Sequence, residues 1–341
     1  MNLLRLFSLT LALALIGVCA EAASTGSVRA FKIKGNVTLK NDETGKVTPL
    51  MLGKAFGQGY SVVTGKKSSV LLVFSNGSTI NLDEKSSLSV SKFLQEKFDQ
   101  TKGTYLDLNA DPSVSETQLQ LNYGELAFNV KKLSKGSVFN VNTEVGSAGI
   151  RGTKGSVQVV KNAAGKMTIK VTNKSGTVVW LKMENGKLVS DNQGQQVGNG
   201  KTLTGTLGNE GGNTDGALTS GNTPQSELQK IENAVENIDI PDEVKNYIEA
   251  VLVLENAQET GGDVAAAEKA LKDAVEAMGS SDNVDPTIAV VGVGNDDGSP
   301  DLVFDTDVDA TTESSTIVDV LNNQTSTTTD TDDAALIYLT F

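Results

Sequence analysis

Ser68-Ser69-Val70-Leu71-Leu72-Val73-Phe74-Ser75-Asn76-Gly77-Ser78-Thr79-Ile80-Asn81-Leu82 is the stretch on which the fold reading turns. Two β-forming runs, Val70 to Phe74 and Thr79 to Leu82, flank Asn76-Gly77. An Asn-Gly pair in that setting is a strong hairpin signal, because a type I′ turn needs positive φ at both central residues. The first run does not alternate, which predicts a strand covered on both faces. Outward from this hairpin, short aliphatic runs recur at Leu126 to Val130, Val138 to Val141, Val157 to Val160, Met167 to Val171 and Val178 to Leu181. Gly136-Ser137-Val138, Gly155-Ser156-Val157 and Gly176-Thr177-Val178 open three of these stretches at intervals of about 20 residues, the rhythm of a meander or a β-solenoid coil. The reading is a mainly β protein: a twisted all-β domain over 27–205, solenoid-like or sandwich in form.

Composition narrows the chemistry. The 341 residues contain no histidine and one cysteine, which removes Ser-His and Cys-His nucleophiles, His-ligated metals, Cys-based zinc sites and internal disulfides. With 34 glycines, 6 prolines and 5% aromatics, the chain suits turn-rich β-structure better than a helical bundle. Its net charge of -13 is unevenly divided. Residues 23–207 hold 24 Lys/Arg against 13 Asp/Glu, whereas residues 208–341 hold 4 against 28. Such opposed halves indicate two distinct regions, either each solvated by its own charge or one able to attract the other or an anionic partner.

The first 22 residues read as an export signal: Arg5, an apolar stretch from Leu6 to Val18, and Ala20-Glu21-Ala22 as the cleavage box, with Ala23 the expected mature N-terminus. Cys19 raises a lipoprotein alternative, but Val18 stands where a small residue is needed. No later segment has the apolar length of a membrane span, so none is expected in the mature chain. Residues 206–222 read as a Gly/Asn/Thr-rich linker and 223–279 as three helices, starting at Thr223-Pro224, Pro241 and Asp263. Their apolar faces are thin and alanine-rich, which leaves little for independent stability. Residues 280–341 form an acidic low-complexity tail, read as disordered. Within it Asp305, Asp307 and Asp309 place oxygen ligands at alternate positions, a weak calcium signal without the glycine and terminal glutamate of an EF-hand loop. The final alternation to Phe341 resembles one outer-membrane strand, which by itself makes no barrel.

In order and spacing, Gly59-Tyr60-Ser61-Val62-Val63-Thr64-Gly65, Ser68-Ser69-Val70, Phe74 to Ile80, Val141-Asn142-Thr143 and Ile150-Arg151-Gly152-Thr153 resemble the FecR domain, over roughly Lys34 to Val160. The resemblance implies an envelope protein, in a family some of whose members relay a receptor signal to an anti-sigma or sigma factor. It assigns Thr64, Gly65, Asn76, Gly77, Ser78, Gly152 and Thr153 to the motif's framework. Asn76 stands where the family usually has aspartate, and Glu144 where it often has proline. Signalling members carry an anti-sigma segment and a transmembrane helix before the domain. Here an export signal stands there instead, and the expectation is a chain that cannot pass a signal through the inner membrane by itself.

Candidate ligand-binding residues are Arg151, whose guanidinium between glycines suits a carboxylate or phosphate, and the pairs Lys66-Lys67 and Lys131-Lys132. Each has a plainer reading: an internal pair for the arginine, edge protection for the lysines. The expected function is a secreted or periplasmic, non-enzymatic FecR-like module for envelope or extracellular sensing, scaffolding, or binding to a protein or cell-wall glycan. Neither cofactor nor nucleic acid is expected. The alternatives are a carboxylate-dependent hydrolase of an extracellular polymer, drawing on Asp83, Glu84 and Glu125, and a calcium-stiffened surface adhesin component.

Overall fold

The structure is a computed structural model that describes residues 24–98, 104–161, 166–184, 187–188, 194–207, 218–236 and 238–279. The export signal, the calcium candidates Asp305, Asp307 and Asp309, and the alternating C-terminus lie outside the described residues. The principal strands are β1 (Val28–Lys34), β2 (Val37–Asn41), β3 (Tyr60–Thr64), β4 (Ser69–Phe74), β5 (Thr79–Leu82), β6 (Ser87–Gln95) and β7 (Ser115–Val130). They continue with β8 (Val138–Thr143), β9 (Gly146–Lys161), β10 (Met167–Glu184), β11 (Gln195–Val197), β12 (Lys201–Leu207) and β13 (Thr219–Asn222). Helices α1 (Gln225–Val235), α2 (Asp242–Thr260) and α3 (Val264–Gly279) follow.

The strands form one hydrogen-bonded network that closes as a barrel. One run of neighbours is β1-β4-β5-β7-β9-β10-β12-β13, through the C-terminal half of β7 and of β9. The other is β2-β3-β6-β7-β8-β9-β10-β11, through their N-terminal halves. The long strands β7, β9 and β10 therefore belong to both runs, and both bury side chains in one core that includes Leu39, Val62, Leu72, Ile80, Leu126 and Val157. All these pairings are antiparallel except β7 with β8, so the form is that of strands crossing between two layers rather than stacked parallel coils.

The glycine rhythm has a different meaning from the one its spacing suggests. Gly136 does precede a strand, but Gly155 and Gly176 lie inside β9 and β10. The β9–β10 register slips between Arg151, Lys154 and Gly155. Gly176 has φ +97, and a Cβ there would lie 2.2 Å from the carbonyl oxygen of Gly152. These glycines mark where long strands bend.

The hairpin of β4 and β5 is present, with a different turn. Phe74 N–H donates to Ser78 O and Gly77 N–H to Phe74 O, so the loop has three residues, Ser75 to Gly77. Only Gly77 is left-handed, with φ +82, while Asn76 has negative φ. The pattern is the three-residue loop closed by a left-handed glycine, not type I′. Asn76 is spent elsewhere: it is fully buried, its Oδ1 accepts from Ser78 N–H, and its Nδ2 reaches Ser115 Oγ at 3.3 Å.

Both faces of β4 are covered. Val70, Leu72 and Phe74 enter the barrel core, and Leu71 and Val73 pack beneath α2. The helices are thus docked layers of the fold. Part of the expected linker is also sheet, since β13 pairs with β12 from Thr204↔Thr219 to Lys201↔Asn222. Helices α1 and α2 start one residue later than expected, after Pro224 and Pro241. Thr223 does not cap α1, because its hydroxyl is engaged with Thr202 Oγ1 at 2.8 Å. Asp263 does cap α3, accepting from Ala266 N–H at 3.0 Å.

Candidate functional site

Period-2 alternation in β10 sends Ile169 and Val171 into the core and leaves Lys170, Thr172 and Lys174 on the opposite face. Helix α1 lies on that face. Glu227 meets Lys170 at 2.5 Å, Glu232 meets Lys174 at 2.7 Å, and Glu236 pairs with Lys154 of β9. Ile231 and Val235 pack on Ala127 of β7. Thr79 Oγ1 donates to Val235 O at 3.3 Å, satisfying one of the helix's last carbonyls. At the other side of the helix the polarity reverses: Lys230 Nζ lies 3.0 Å from Asp83 Oδ2 and 3.4 Å from Glu125 Oε2. The Lys174 hydrogen bond holds Glu232 below the usual carboxylate value. Burial works against the charge on Lys230 but is outweighed by Asp83 and Glu125, so its ammonium is raised above the ordinary lysine value.

Arg29 of β1 anchors α2. It is 1% exposed, with Nη1 donating to Gly53 O at 2.6 Å and Nη2 to Glu255 Oε2 of α2 at 2.5 Å. Around this pair Phe31, Met51, Leu52, Leu71 and Val73 meet the α2 face formed by Val244, Tyr247, Ile248, Val251 and Leu254. Tyr105 packs against this cluster; burial pushes its phenol up, aided by the charges of Glu255 and Glu259 and opposed by Arg29.

The residues singled out in the sequence are only partly drawn together. Arg151 is exposed on β9, so an internal pair for it is not formed. The alternation that buries Ala148 and Ile150 turns its side chain outward. The buried arginine of the fold is Arg29, whose sequence signal is a lone charge inside Val28-Arg29-Ala30-Phe31. Lys66 and Lys67 are exposed between β3 and β4, where Lys67 N–H donates to Glu84 Oε2 at 2.5 Å. Lys132 is exposed, whereas Lys131 is half-buried, and burial together with the charge of Lys154 lowers its ammonium. Lys131 is also within the electrostatic reach of Glu236, the C-cap of α1, whose charge opposes that lowering. Sequence reading missed Lys154, Lys170 and Lys174, although the alternating Lys170-x-Thr172-x-Lys174 carried the signal.

Two of the three candidate acids do converge. Asp83 N–H donates to Glu125 O, and both carboxylates reach the single ammonium of Lys230, while Gln158 Nε2 donates to Glu125 Oε2 at 3.0 Å. Glu84 points to the Lys67 backbone instead. With a lysine drawn onto it, the Asp83–Glu125 pair forms one pole of the α1 contact.

The motif residues form polar staples at turns and bends. Thr64 Oγ1 lies 2.6 Å from Asp83 O and accepts from Ser86 N–H, and Gly65 N–H donates to Asn36 O. Thr153, next to Gly152 at φ +58, accepts from Thr177 N–H at 2.9 Å where β9 bends. Asn76 and Ser78 sit above a buried group in which Asp111 Oδ2 accepts from Ser115 Oγ and Ser137 Oγ, at 2.9 and 2.6 Å.

Comparison with known proteins gives a family and a distant likeness. No curated protein matches the chain. Two crystal structures of a candidate anti-sigma factor from Parabacteroides distasonis, at 2.50 and 1.65 Å resolution, are similar at 13% identity and a TM-score of 0.33. The similarity covers 50% of this chain and 62% of that protein's length. The family model described as FecR protein matches residues 60–179, from the start of β3 to the outer half of β10. The matched stretch starts later and runs further than the motifs suggest, taking in Lys170 and Lys174 of β10, and the chain carries a FecR domain there.

Proposed function

We propose that this chain is an exported, non-enzymatic binding module of the cell envelope, in which the β-domain offers a partner a lysine-bearing sheet face. The FecR domain supports a place in sensing or regulation. The observation that carries the reading is the set of contacts from Lys170 and Lys174 to Glu227 and Glu232 of α1 and from Lys154 to Glu236 at its C-cap, because it is an acid-recognising surface already at work within the chain. Charge-assisted contacts of this kind give register and partner choice more than raw affinity. The reading needs neither cofactor nor metal, and it takes the partner to be an envelope or extracellular protein in preference to a wall glycan.

The test compares the intact mature chain with Lys154→Gln/Lys170→Gln/Lys174→Gln in affinity capture from envelope extract. A co-retained protein that the variant loses is the expected result. Equal retention by both, or retention of purified wall glycan alone, would remove the protein-binding reading. Intact mass of the same material should correspond to a chain beginning at Ala23, and a lipid on Cys19 would overturn that cleavage site.

A further inference from the structure

The helices are held on the β-domain by different forces. α2 seats a continuous apolar face on Phe31, Leu71 and Val73 and adds the buried Arg29–Glu255 pair. α1 has a far smaller apolar contact, Ile231 and Val235 on Ala127, and is otherwise held by a hydrogen bond from Thr79, the exposed Lys230 pairs, and lysine-row ion pairs whose side chains keep 19–40% exposure. Pairs this wet are individually weak and screened by salt. α1 is also only 11 residues long and has no side-chain N-cap bond, so it gains little stability of its own.

We propose that the sheet face under α1 is a docking site for an acidic amphipathic helix of a partner protein, and that α1 is its resident competitor. This rests on reading the chain as a binding module. α1 specifies the incoming helix: Glu227, Ile231, Glu232, Val235 and Glu236 set carboxylates at n, n+5 and n+9 and aliphatic side chains at n+4 and n+8, with Lys230 at n+3. The lysine row alone would also suit an anionic polymer. The Asp83–Glu125 pair beside it repels a uniform polyanion and demands a cation at one position, which a helix with mixed charges supplies. Ala127 adds an apolar contact that suits the aliphatic side chains of such a helix.

The experiment uses the full chain and a labelled synthetic peptide with the sequence of residues 223–236, followed by fluorescence anisotropy. Glu227→Gln/Glu232→Gln/Glu236→Gln in the chain loosens α1 and should raise peptide affinity about tenfold or more over the unaltered chain, a coupling of ordinary size for competing sites. Adding Lys154→Gln/Lys170→Gln/Lys174→Gln should abolish that gain, and raising salt to about 0.5 M should erode it. Heparin serves as the polyanion probe, and tighter binding of heparin than of peptide to the loosened chain would overturn the proposal. Hydrogen exchange on the unaltered chain is the second measurement and does not depend on any variant folding. Amides of α1 should exchange faster than those of α2, and faster still at high salt. Equal, salt-independent protection of the two helices, or no peptide binding to the loosened chain, refutes the displaceable helix. Envelope capture could still succeed in that case, so failure here is separable from failure of the binding-module reading.

Discussion

Replacing Glu255 by glutamine isolates the force that fixes α2 to the barrel. The Arg29 guanidinium is 1% exposed and has only Gly53 O and Glu255 Oε2 as acceptors among the described residues, with its buried Nε unpaired. Glutamine removes the negative charge and leaves the cation inside. Removing one partner of a fully buried pair costs about 3–5 kcal/mol. Because Glu255 is 28% exposed, water recovers part of that loss, and about 2 kcal/mol is expected. For a folded body of this size that corresponds to a melting temperature lower by about 4–8 °C. Arg29→Met removes the buried charge itself and lets Glu255 turn to solvent, leaving mainly the unsatisfied Gly53 carbonyl, at about 1–2 kcal/mol. The double variant Arg29→Met/Glu255→Leu should return to within about 1 kcal/mol of the parent, since both desolvation costs vanish and the apolar cluster gains two members. Urea unfolding of these proteins, with Glu255→Leu alone as the second single variant, gives the cycle. A Glu255→Gln loss under about 0.5 kcal/mol, or a double variant no better than the worse single one, would refute the claim that a buried charge pair holds this layer.

Gly77→Val forces a β-branched residue to φ +82 with its Cβ 2.8 Å from Leu108 Cβ, so a loss of at least about 2 kcal/mol is expected, and an unchanged thermal melt would mean the turn is drawn wrongly. Glu232 is held below its ordinary 4.5 by the Lys174 hydrogen bond, so its contribution is present above that value and disappears as pH falls through the lowered one. Hydrogen exchange should therefore show α1 loosening ahead of α2 below about pH 4.5, and simultaneous loosening would contradict the assignment. Lys230 is raised above 10.5, so its contribution is intact at neutral pH and is lost only as pH rises through that higher value, where Lys230→Met should flatten the alkaline loss. Removing residues 280–341 should leave the urea midpoint of the remaining chain unchanged, and a clear shift would show that the body holds the tail's charges.

What could be read in the sequence followed from local rules. The uninterrupted apolar run from Val70 to Phe74 announced two covered faces, and both coverings exist, although nothing local says that α2 provides the outer one. Asn76-Gly77 located the turn, but its geometry depends on Ser115, 39 residues away, which draws the Asn76 side chain inward. Thr223 has the chemistry of a helix cap, yet the Thr202 hydroxyl of a neighbouring strand takes it. Arg151 drew notice because glycines surround it, but the alternation of β9 sends it to solvent; Arg29, inside a four-residue buried run, is the arginine that the fold encloses. The lysine row escaped for a related reason. Lys170 and Lys174 share β10, but Lys154 joins them only through the β9–β10 pairing across a bulge, and no reading of one strand at a time brings the three together.

Charge is where the sequence and the fold meet most directly. Thirteen of the 42 acidic residues lie in 280–341, which has no lysine or arginine, and the remaining 29 equal the 29 basic residues of the whole chain. Residues 1–279 are therefore formally neutral, although the strand region within them is strongly basic. The balance comes chiefly from the helical region 223–279, with 13 acidic and 4 basic residues, and several of those acids are the ones seated on the sheet: Glu227, Glu232, Glu236 and Glu255. The division of charge that suggested a basic domain open to anions is thus satisfied in part by docking inside the chain, at four glutamates. Lys66, Lys67, Lys132 and Arg151 stay exposed, whereas the lysine row becomes available only as α1 yields. Because α1 is held mainly by solvent-reached pairs and α2 by a buried pair over an apolar layer, access is set by one short helix while the rest of the fold stays in place.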